Sequence, residues 1–275
     1  MVRCCLKIHG ILRRHSLQVL VPDASLAVEV AGSGRPLVFV NGFGSYKEIW
    51  CDQVKSFSRR YQTVCFDARG QGESTGVVAS DLAMQAADLD QVLVQLYLQR
   101  PVLIGHSMGA SVIWAWRQAH PDASIGGIVV VDQSPKMMND ATWHYGFVDL
   151  TKETAEMQLT SPRPGHETLR GMAPQVMAQF LRAESRHPFD RPTGNALLKN
   201  HFDADWRHVV IKEPEPVLYV CAAQSPYFPI DYGPWLEQQN NQLRAVVLQN
   251  CGHDIMAEVP EAFDQTLRHF LMQHA

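Results

Sequence analysis

The sequence predicts an α/β protein with a mostly parallel sheet that is covered by helices on both faces. Short apolar runs recur along the chain, and stretches with helical periodicity lie between them. The runs lack the polar alternation of a half-exposed strand, so both of their faces are expected to be buried. They occupy residues 26–30, 36–40, 63–66, 102–104, 128–131, 217–220 and 245–248.

Two helices are predicted from clear amphipathic patterns. Residues 82–98 carry apolar side chains at three- and four-residue spacing, and Asp81 stands where a helix N-cap is expected. Residues 260–272 repeat this spacing and begin at Pro260, a residue that is favoured in the first helical turn. Both helices are therefore expected to pack one apolar face against the sheet.

The alternation of strands and helices stops between residues 134 and 210, which are rich in proline and contain helix-like pieces such as 174–183. We predict an inserted, mostly helical cap at 134–210, a core formed by 26–133 and 211–275, and an unpaired N-terminal extension at 1–25. Methionine adapts to irregular apolar contacts. Five methionines of the cap could thus line a substrate pocket, or could simply pack the cap onto the core: Met137, Met138, Met157, Met172 and Met177.

The composition of the chain argues against several kinds of binding partner and location. The 275 residues include 24 Lys plus Arg and 28 Asp plus Glu, for a net charge of −4, and no basic run is interleaved with aromatics. Nucleic acid is therefore not expected as a partner. No run approaches the roughly 18 apolar residues of a membrane span. The six cysteines show no metal-ligand spacing, which predicts reduced thiols in a cytoplasmic protein. No metal site and no cofactor are expected. A basic, acid-free stretch at 1–22 also allows an organelle-targeting sequence, but a plain extension is favoured.

The most informative motif is Gly105-His106-Ser107-Met108-Gly109, between the apolar run 102–104 and a helix-like stretch. Gly-x-Ser-x-Gly at a strand-to-helix junction builds a tight turn that exposes the serine hydroxyl. The glycines are needed because side chains would clash where the backbone doubles back. Ser107 is therefore the candidate nucleophile, whereas His106 is expected to be structural and to point away from the partner of Ser107.

A nucleophilic serine needs a base and donors for the oxyanion. His253 follows the last apolar run, at the edge where active sites of parallel sheets gather, and its imidazole could take and return a proton near neutral pH. The turn 41–44, Asn-Gly-Phe-Gly, follows the run 36–40. The main-chain N–H groups of Phe43 and of Met108, the residue after Ser107, are the candidate oxyanion donors.

Together these motifs resemble those of the α/β-hydrolase fold. The resemblance extends from about residue 26 to residue 270. It rests on the turn 41–44, the loop 67–74 (Asp-Ala-Arg-Gly-Gln-Gly-Glu-Ser), the Gly-x-Ser-x-Gly motif 105–109, and Gly252-His253 with 258–260. It implies this fold for the chain and says little about the substrate, since the fold hosts many chemistries. The loop 67–74 is expected to be a structural turn in which Arg69 pairs internally.

The acid of a catalytic triad is less obvious. In most members of the family that the chain resembles, it follows the penultimate strand, where this chain has Ser225. Asp132 ends an earlier apolar run, a position that some branches of the fold use, and we favour it. Asp231 is the second candidate and an incomplete triad the third. Asp254 adjoins His253 and is therefore poorly placed to bond it.

The leading hypothesis is a cofactor-independent serine hydrolase that cleaves a carboxylic ester or lactone of a small to medium hydrophobic substrate through Ser107, His253 and Asp132. A second hypothesis is a cofactor-free dioxygenase that cleaves a hydroxy-heteroaromatic ring of the quinolone type, with His253 deprotonating the substrate. A third is a non-enzymatic ligand receptor, supported only by the serine at position 225. The sequence leaves the oligomeric state open.

Overall fold

A computed structural model describes residues 14–160 and 166–274. Its centre is an eight-stranded sheet in the order β1-β2-β4-β3-β5-β6-β7-β8. β1 pairs with β2, and β2 with β4, in antiparallel fashion, while the remaining neighbours are parallel. The strands are β1 (Arg14–Val21), β2 (Ala24–Gly32), β3 (Pro36–Val40), β4 (Gln62–Phe66), β5 (Val102–His106), β6 (Gly127–Val131), β7 (Val217–Ala222) and β8 (Leu243–Leu248).

Helices cover the sheet on both faces. The α-helices of the described part of the chain are α1 (Cys51–Phe57), α2 (Leu82–Gln95), α3 (Met108–Ala119), α4 (Ala155–Thr160), α5 (Pro174–Arg186), α6 (Asn195–Asp203), α7 (Arg207–Lys212), α8 (Tyr232–Gln239), α9 (Ile255–Glu258) and α10 (Pro260–Gln273). Short 3₁₀ helices form at Lys47–Trp50 and Arg191–Gly194. Asp81 caps α2 as expected, because its side chain accepts a hydrogen bond from the N–H of Met84. The predicted fold class is confirmed.

The central strands are apolar throughout because they separate two hydrophobic cores. On β3, Leu37 and Phe39 pack into one core, whereas Val38 and Val40 pack into the other. Strands β5 and β6 divide their side chains in the same way. Alternate residues of a strand point to opposite faces, so a strand between two cores needs apolar residues at every position.

The N-terminal segment differs from the expectation. Residues 14–21, predicted to belong to an unpaired extension, form β1 and pair with β2 across a turn at Asp23, whose φ is +58°. Leu17, Val19 and Val21 are half-buried or buried and alternate with the exposed residues Ser16, Gln18 and Leu20, which is the pattern of an edge strand with one buried face. The expectation is therefore wrong for residues 14–21, and residues 1–13 lie outside the described part.

The connection between β6 and β7 contains α4, α5, α6 and α7. This is the segment predicted to form the cap, and residues 161–165 within it lie outside the described part. Because β3, β5, β6 and β7 are parallel, the loops that follow them emerge at one edge of the sheet. The candidate site lies at this edge.

Candidate active site

Ser107 lies in a strained turn between β5 and α3. Its φ and ψ are +53° and −130°, in a region that residues with a side chain rarely adopt. A Cβ on Gly105 would lie 2.5 Å from the Ala110 nitrogen, and one on Gly109 would lie 2.3 Å from the Val40 oxygen. The two glycines of the motif are thus required sterically, since backbone atoms occupy the space of any larger side chain.

His253 follows β8 and is 3% exposed. Its Nδ1 lies 2.8 Å from Asp132 Oδ2, and its backbone N–H donates to the Glu167 carbonyl at 2.6 Å. The loop is further fixed by Glu258, whose carboxylate accepts from the N–H of Gly252 at 2.8 Å. The imidazole is therefore held at its Nδ1 side and by its own backbone, which leaves Nε2 as the ring nitrogen for chemistry.

Asp132 stands at the end of β6 with a φ of +48° and no solvent exposure. Its Oδ1 accepts from the Ala222 N–H at 3.1 Å. Its Oδ2 accepts from the Ser225 hydroxyl at 2.6 Å in addition to its contact with His253. A buried carboxylate is costly unless hydrogen bonds satisfy it, and these donors do so.

Ser225 has a part in the site that sequence reasoning missed. It occupies the position where the resemblance called for an acid, and its Oγ bonds the carboxylate of Asp132 instead. The same oxygen accepts from the N–H groups of Tyr227 and Phe228, both at 3.2 Å. The position thus retains a polar contact to the candidate acid, Asp132, which follows the neighbouring strand β6.

The other two carboxylates lie elsewhere. Asp231 is exposed at the start of α8, and none of the hydrogen bonds or ion pairs found between described residues joins it to His253. Asp254 is buried, and its Oδ1 lies 3.5 Å from Nε2 of His106. Of the aspartates considered from the sequence, the structure brings Asp132 to the Nδ1 atom of His253.

Burial by itself lowers the pKa of His253. The hydrogen bond and charge of Asp132, together with the charges of Asp254 and Glu167, raise this pKa by more, so it lies above the usual histidine value. His106 shows the opposite balance. Burial and the neighbouring His253 hold the pKa of His106 well below its ordinary value, so its imidazole is neutral.

His106 differs from the expectation that it points away from the partner of Ser107. Its ring lies 4.6 Å from that of His253 between centroids, and its Nε2 is 3.2 Å from the His253 carbonyl oxygen. The strained turn directs the side chain at 106 towards the loop that carries the candidate base. A neutral donor at this place holds the backbone of that loop.

The candidate oxyanion donors adjoin Ser107. Met108 is the first residue of α3, and an N–H in the first helical turn has no partner within its helix. A Cβ on Gly42 would lie 3.0 Å from Ser107 Cβ, so the turn before Phe43 passes directly beside the candidate nucleophile. The Asn41 side chain fixes this turn, because it donates to the Phe66 carbonyl at 3.1 Å and accepts from Trp50 Nε1 at 2.9 Å.

A cavity with an empty volume of about 870 Å³, including open solvent at its mouth, joins these groups. Ser107, His253, Phe43 and Met108 line it together with aromatic and aliphatic side chains of the β6–β7 connection. Two of the five methionines considered for the pocket, Met137 and Met172, are among the lining residues, whereas Met138, Met157 and Met177 are not.

Tyr227 and Glu167 also line the cavity, although no sequence motif pointed to either residue. The Tyr227 hydroxyl donates to Glu167 Oε1 at 2.7 Å, and its ring lies 4.6 Å from the His253 ring between centroids. Glu167 therefore contacts the loop of the candidate base through its carbonyl and the loop after β7 through its side chain. These residues are distant in sequence, so only the fold reveals their contact.

The loop 67–74 is structural, as expected. Arg69 donates from two guanidinium nitrogens to both oxygens of Asp88, with Nε at 2.6 Å from Oδ2, and both residues are buried. Asp67 bonds the Lys47 ammonium at 2.8 Å. The predicted internal pairing of Arg69 is confirmed.

Metal-ligand clusters and membrane-spanning helices are both absent from residues 14–160 and 166–274. No group of three or more His, Cys, Asp or Glu residues is arranged to hold a metal ion. No helix there is long and apolar enough to cross a membrane. The cysteines described, Cys51, Cys65, Cys221 and Cys251, are free and buried, and Cys4 and Cys5 lie outside the described residues.

Comparisons with known proteins agree with this architecture. The family model for the α/β-hydrolase fold matches residues 35–260. A pimeloyl-acyl-carrier-protein methyl ester esterase from Nitrosomonas europaea is 24% identical over 253 residues, which cover 87% of this chain and 97% of that protein. An sn-1-specific diacylglycerol lipase from Danio rerio is 25% identical over 256 residues, or 87% of this chain and 79% of that one.

Among solved structures, an esterase from Exiguobacterium antarcticum superposes with a TM-score of 0.79 at 19% identity and covers 93% of this chain and 98% of its own. This likeness concerns the fold, whereas the family model covers most of the chain and includes the candidate nucleophile and base. The chain therefore belongs to the α/β-hydrolase fold family, and it is a hydrolase.

Proposed function

We propose that the protein hydrolyses carboxylic esters or lactones of small to medium hydrophobic compounds, with Ser107 as nucleophile, His253 as general base and Asp132 as the acid. The observation that carries this proposal is the 2.8 Å contact between His253 Nδ1 and the buried Asp132 carboxylate beside a cavity that Ser107 also lines. The similarity to an esterase and a lipase supports the choice of an ester bond.

In the proposed reaction, Ser107 Oγ attacks the ester carbonyl carbon while His253 Nε2 takes the hydroxyl proton. The carboxylate of Asp132 stabilises the imidazolium and keeps the proton of the neutral imidazole on Nδ1. The carbonyl oxygen becomes an oxyanion, which accepts hydrogen bonds from the N–H groups of Phe43 and Met108.

The tetrahedral intermediate then breaks its bond to the leaving alcohol, which receives the proton from His253. An acyl-enzyme on Ser107 remains. Water, deprotonated by His253, attacks the acyl carbon, and the second intermediate releases the carboxylic acid and restores the serine hydroxyl. The cycle consumes one water and needs no cofactor.

The β6–β7 connection is proposed to act as the cap that selects the substrate. Its side chains supply much of the apolar wall, including Met137, Phe147 and Phe202. Such a wall favours a hydrophobic acyl or aromatic group, since burial of apolar surface stabilises binding.

The proposal is tested with a fluorophosphonate probe and p-nitrophenyl esters of graded acyl length. We expect the probe to add covalently to Ser107, found by mass spectrometry of the peptide, and to abolish turnover. Ser107→Ala should lose both labelling and turnover. Ser111→Ala is the matched control, because Ser111 is buried four residues further along the sequence and no described group bonds its hydroxyl.

Labelling that persists in Ser107→Ala, or ester turnover unaffected by that change, would refute the assignment. Oxygen consumption with a hydroxyquinolone, in a protein that cleaves no ester, would instead support the dioxygenase hypothesis.

A further inference from the structure

Gln133 and His201 are buried polar side chains in the wall of the cavity, and neither has a role in the proposed triad. Gln133 follows Asp132 at the end of β6, and His201 lies on α6 in the β6–β7 connection. They are 1% and 3% exposed, and both line the cavity that Ser107 and His253 share. Two separate elements of the fold therefore bring hydrogen-bonding groups to the same cavity.

Each side chain has an atom without a partner. Gln133 Oε1 and His201 Nδ1 are closed to bulk solvent, and no described group bonds either atom. One bond identifies the two terminal atoms of the Gln133 amide. The atom 2.8 Å from the Ser134 carbonyl oxygen must donate, so it is Nε2. The unpaired atom is therefore the acceptor oxygen.

Such atoms are unusual in protein interiors. Buried polar groups are nearly always hydrogen-bonded, since an unmade bond costs stability. Other side chains of the cavity wall include Leu198 and Phe202, which have no hydrogen-bonding group. Met137 also lines the cavity, and its sulfur accepts a hydrogen bond from Gln133 Nε2 at 3.1 Å, not from the two unpaired atoms. A group on a molecule in the cavity can bond the two unpaired atoms, because the terminal torsions of glutamine and histidine are broad and small rotations turn these atoms towards it.

The chemistry of the pair limits what it can bind. Burial lowers the pKa of His201 to about 3, so the imidazole is neutral and offers one N–H and one lone pair. Gln133 Oε1 only accepts. A carboxylate, which only accepts, would face the glutamine oxygen without a donor, whereas an alcohol or an amide both donates and accepts.

We propose that Gln133 and His201 form a polar subsite that binds a neutral hydroxyl or amide group on the hydrophobic part of the substrate. This inference rests on the proposed ester hydrolysis and narrows its substrate class. The substrate is then a hydrophobic ester with an internal hydrogen-bonding group rather than a plain alkyl ester. Gln133 Oε1 accepts a hydrogen bond from that group, and the neutral imidazole of His201 forms a second hydrogen bond with it as donor or acceptor.

The test uses 4-methylumbelliferyl esters of one straight-chain acid, with a single hydroxyl placed at successive carbons. Each hydroxy ester is compared with its methyl ether, which retains the acceptor oxygen but has no donor, and with the unsubstituted ester. At the position that reaches the subsite, we expect kcat/KM of the hydroxy ester to exceed both comparators by about tenfold or more, as one hydrogen bond to an otherwise unpaired group implies.

His201→Phe and Gln133→Met keep the side-chain size and should each reduce this ratio towards one. Leu198→Met, in α6 and in the same cavity wall, is the control that should retain the ratio whatever it does to absolute rates. Thermal unfolding shows which variants fold, and either polar variant alone suffices for the comparison.

A wild-type ratio within twofold of one at every position overturns the subsite, as does a ratio that both polar variants retain. Failure of the proposed function is distinguishable, because the unsubstituted ester would then not be cleaved in a Ser107-dependent manner.

Discussion

Replacement of Asp132 by asparagine is the sharpest test of the site. Oδ1 of Asp132 accepts from the Ala222 N–H, so the amide oxygen of the asparagine should take that place. The amide NH₂ then faces His253 Nδ1, now 2.8 Å from Oδ2, and can only donate to it. The imidazole must therefore carry its proton on Nε2, and a protonated Nε2 cannot accept the proton of Ser107.

The expected loss can be given a size. In serine proteases the same wrong tautomer lowers kcat by about 10⁴. With Asp132 fully buried and bonded on both oxygens, we expect a loss of about 10³ to 10⁴, or about 4 to 5.5 kcal/mol at 1.36 kcal/mol for each tenfold change. The backbone should be unaffected, because asparagine tolerates the φ of +48° at this position.

The assay is steady-state hydrolysis of the best p-nitrophenyl ester, with KM expected to change little. Asp231→Asn is the matched control and should retain wild-type kcat, since Asp231 is exposed at the start of α8. If Asp132→Asn keeps kcat within tenfold of wild type, Asp132 is not the acid. If Asp231→Asn alone abolishes activity, the acid lies at the other candidate.

Three further predictions concern charge and hydrogen bonding. The pKa of His253 is raised, so the acidic limb of the pH profile of kcat/KM should have an apparent pKa above 6.5. An apparent pKa at or below 6.5 would contradict this. Ser225→Ala removes the 2.6 Å hydrogen bond to the buried Asp132 carboxylate and should lower kcat on the same ester by about tenfold, because hydrogen bonds to charged groups contribute about 1.5 to 3 kcal/mol. An unchanged kcat would show that the serine does not support the acid. Arg69→Met leaves the buried Asp88 carboxylate without its ion-pair partner and should lower the free energy of unfolding in urea by about 3 kcal/mol. The double variant Arg69→Met with Asp88→Asn should recover part of this stability. A double variant as unstable as the single one would show that the unpaired charge is not the cause.

The sequence predicted the fold well where local patterns reflect burial. Residues of β3, β5 and β6 alternate between two cores, so their runs are apolar at every position and mark buried strands. β1 was missed because one of its faces is exposed, which mixes polar residues into the pattern. An edge strand is therefore harder to distinguish from an unpaired segment.

For the candidate site, the sequence predicted the candidate nucleophile and the position of the candidate base. The motif around Ser107 is recognisable because local backbone sterics require its two glycines. The sequence favoured Asp132 over Asp231 as the acid but left both open, since the choice depends on which carboxylate is near His253 in space. It also gave no sign of the contact between Tyr227 and Glu167, whose partners are 60 residues apart in sequence.

The sequence by itself determined the α/β fold class, the strand-to-helix turn at Ser107 and the candidate base, because each follows from backbone sterics or from the periodicity of apolar residues. Only the tertiary structure decided that Asp132 reaches His253, that Ser225 bonds this candidate acid, and that Gln133 and His201 line one cavity. Hydrogen bonds of this kind depend on distances between separate strands and helices, and those distances are set by packing of the whole chain.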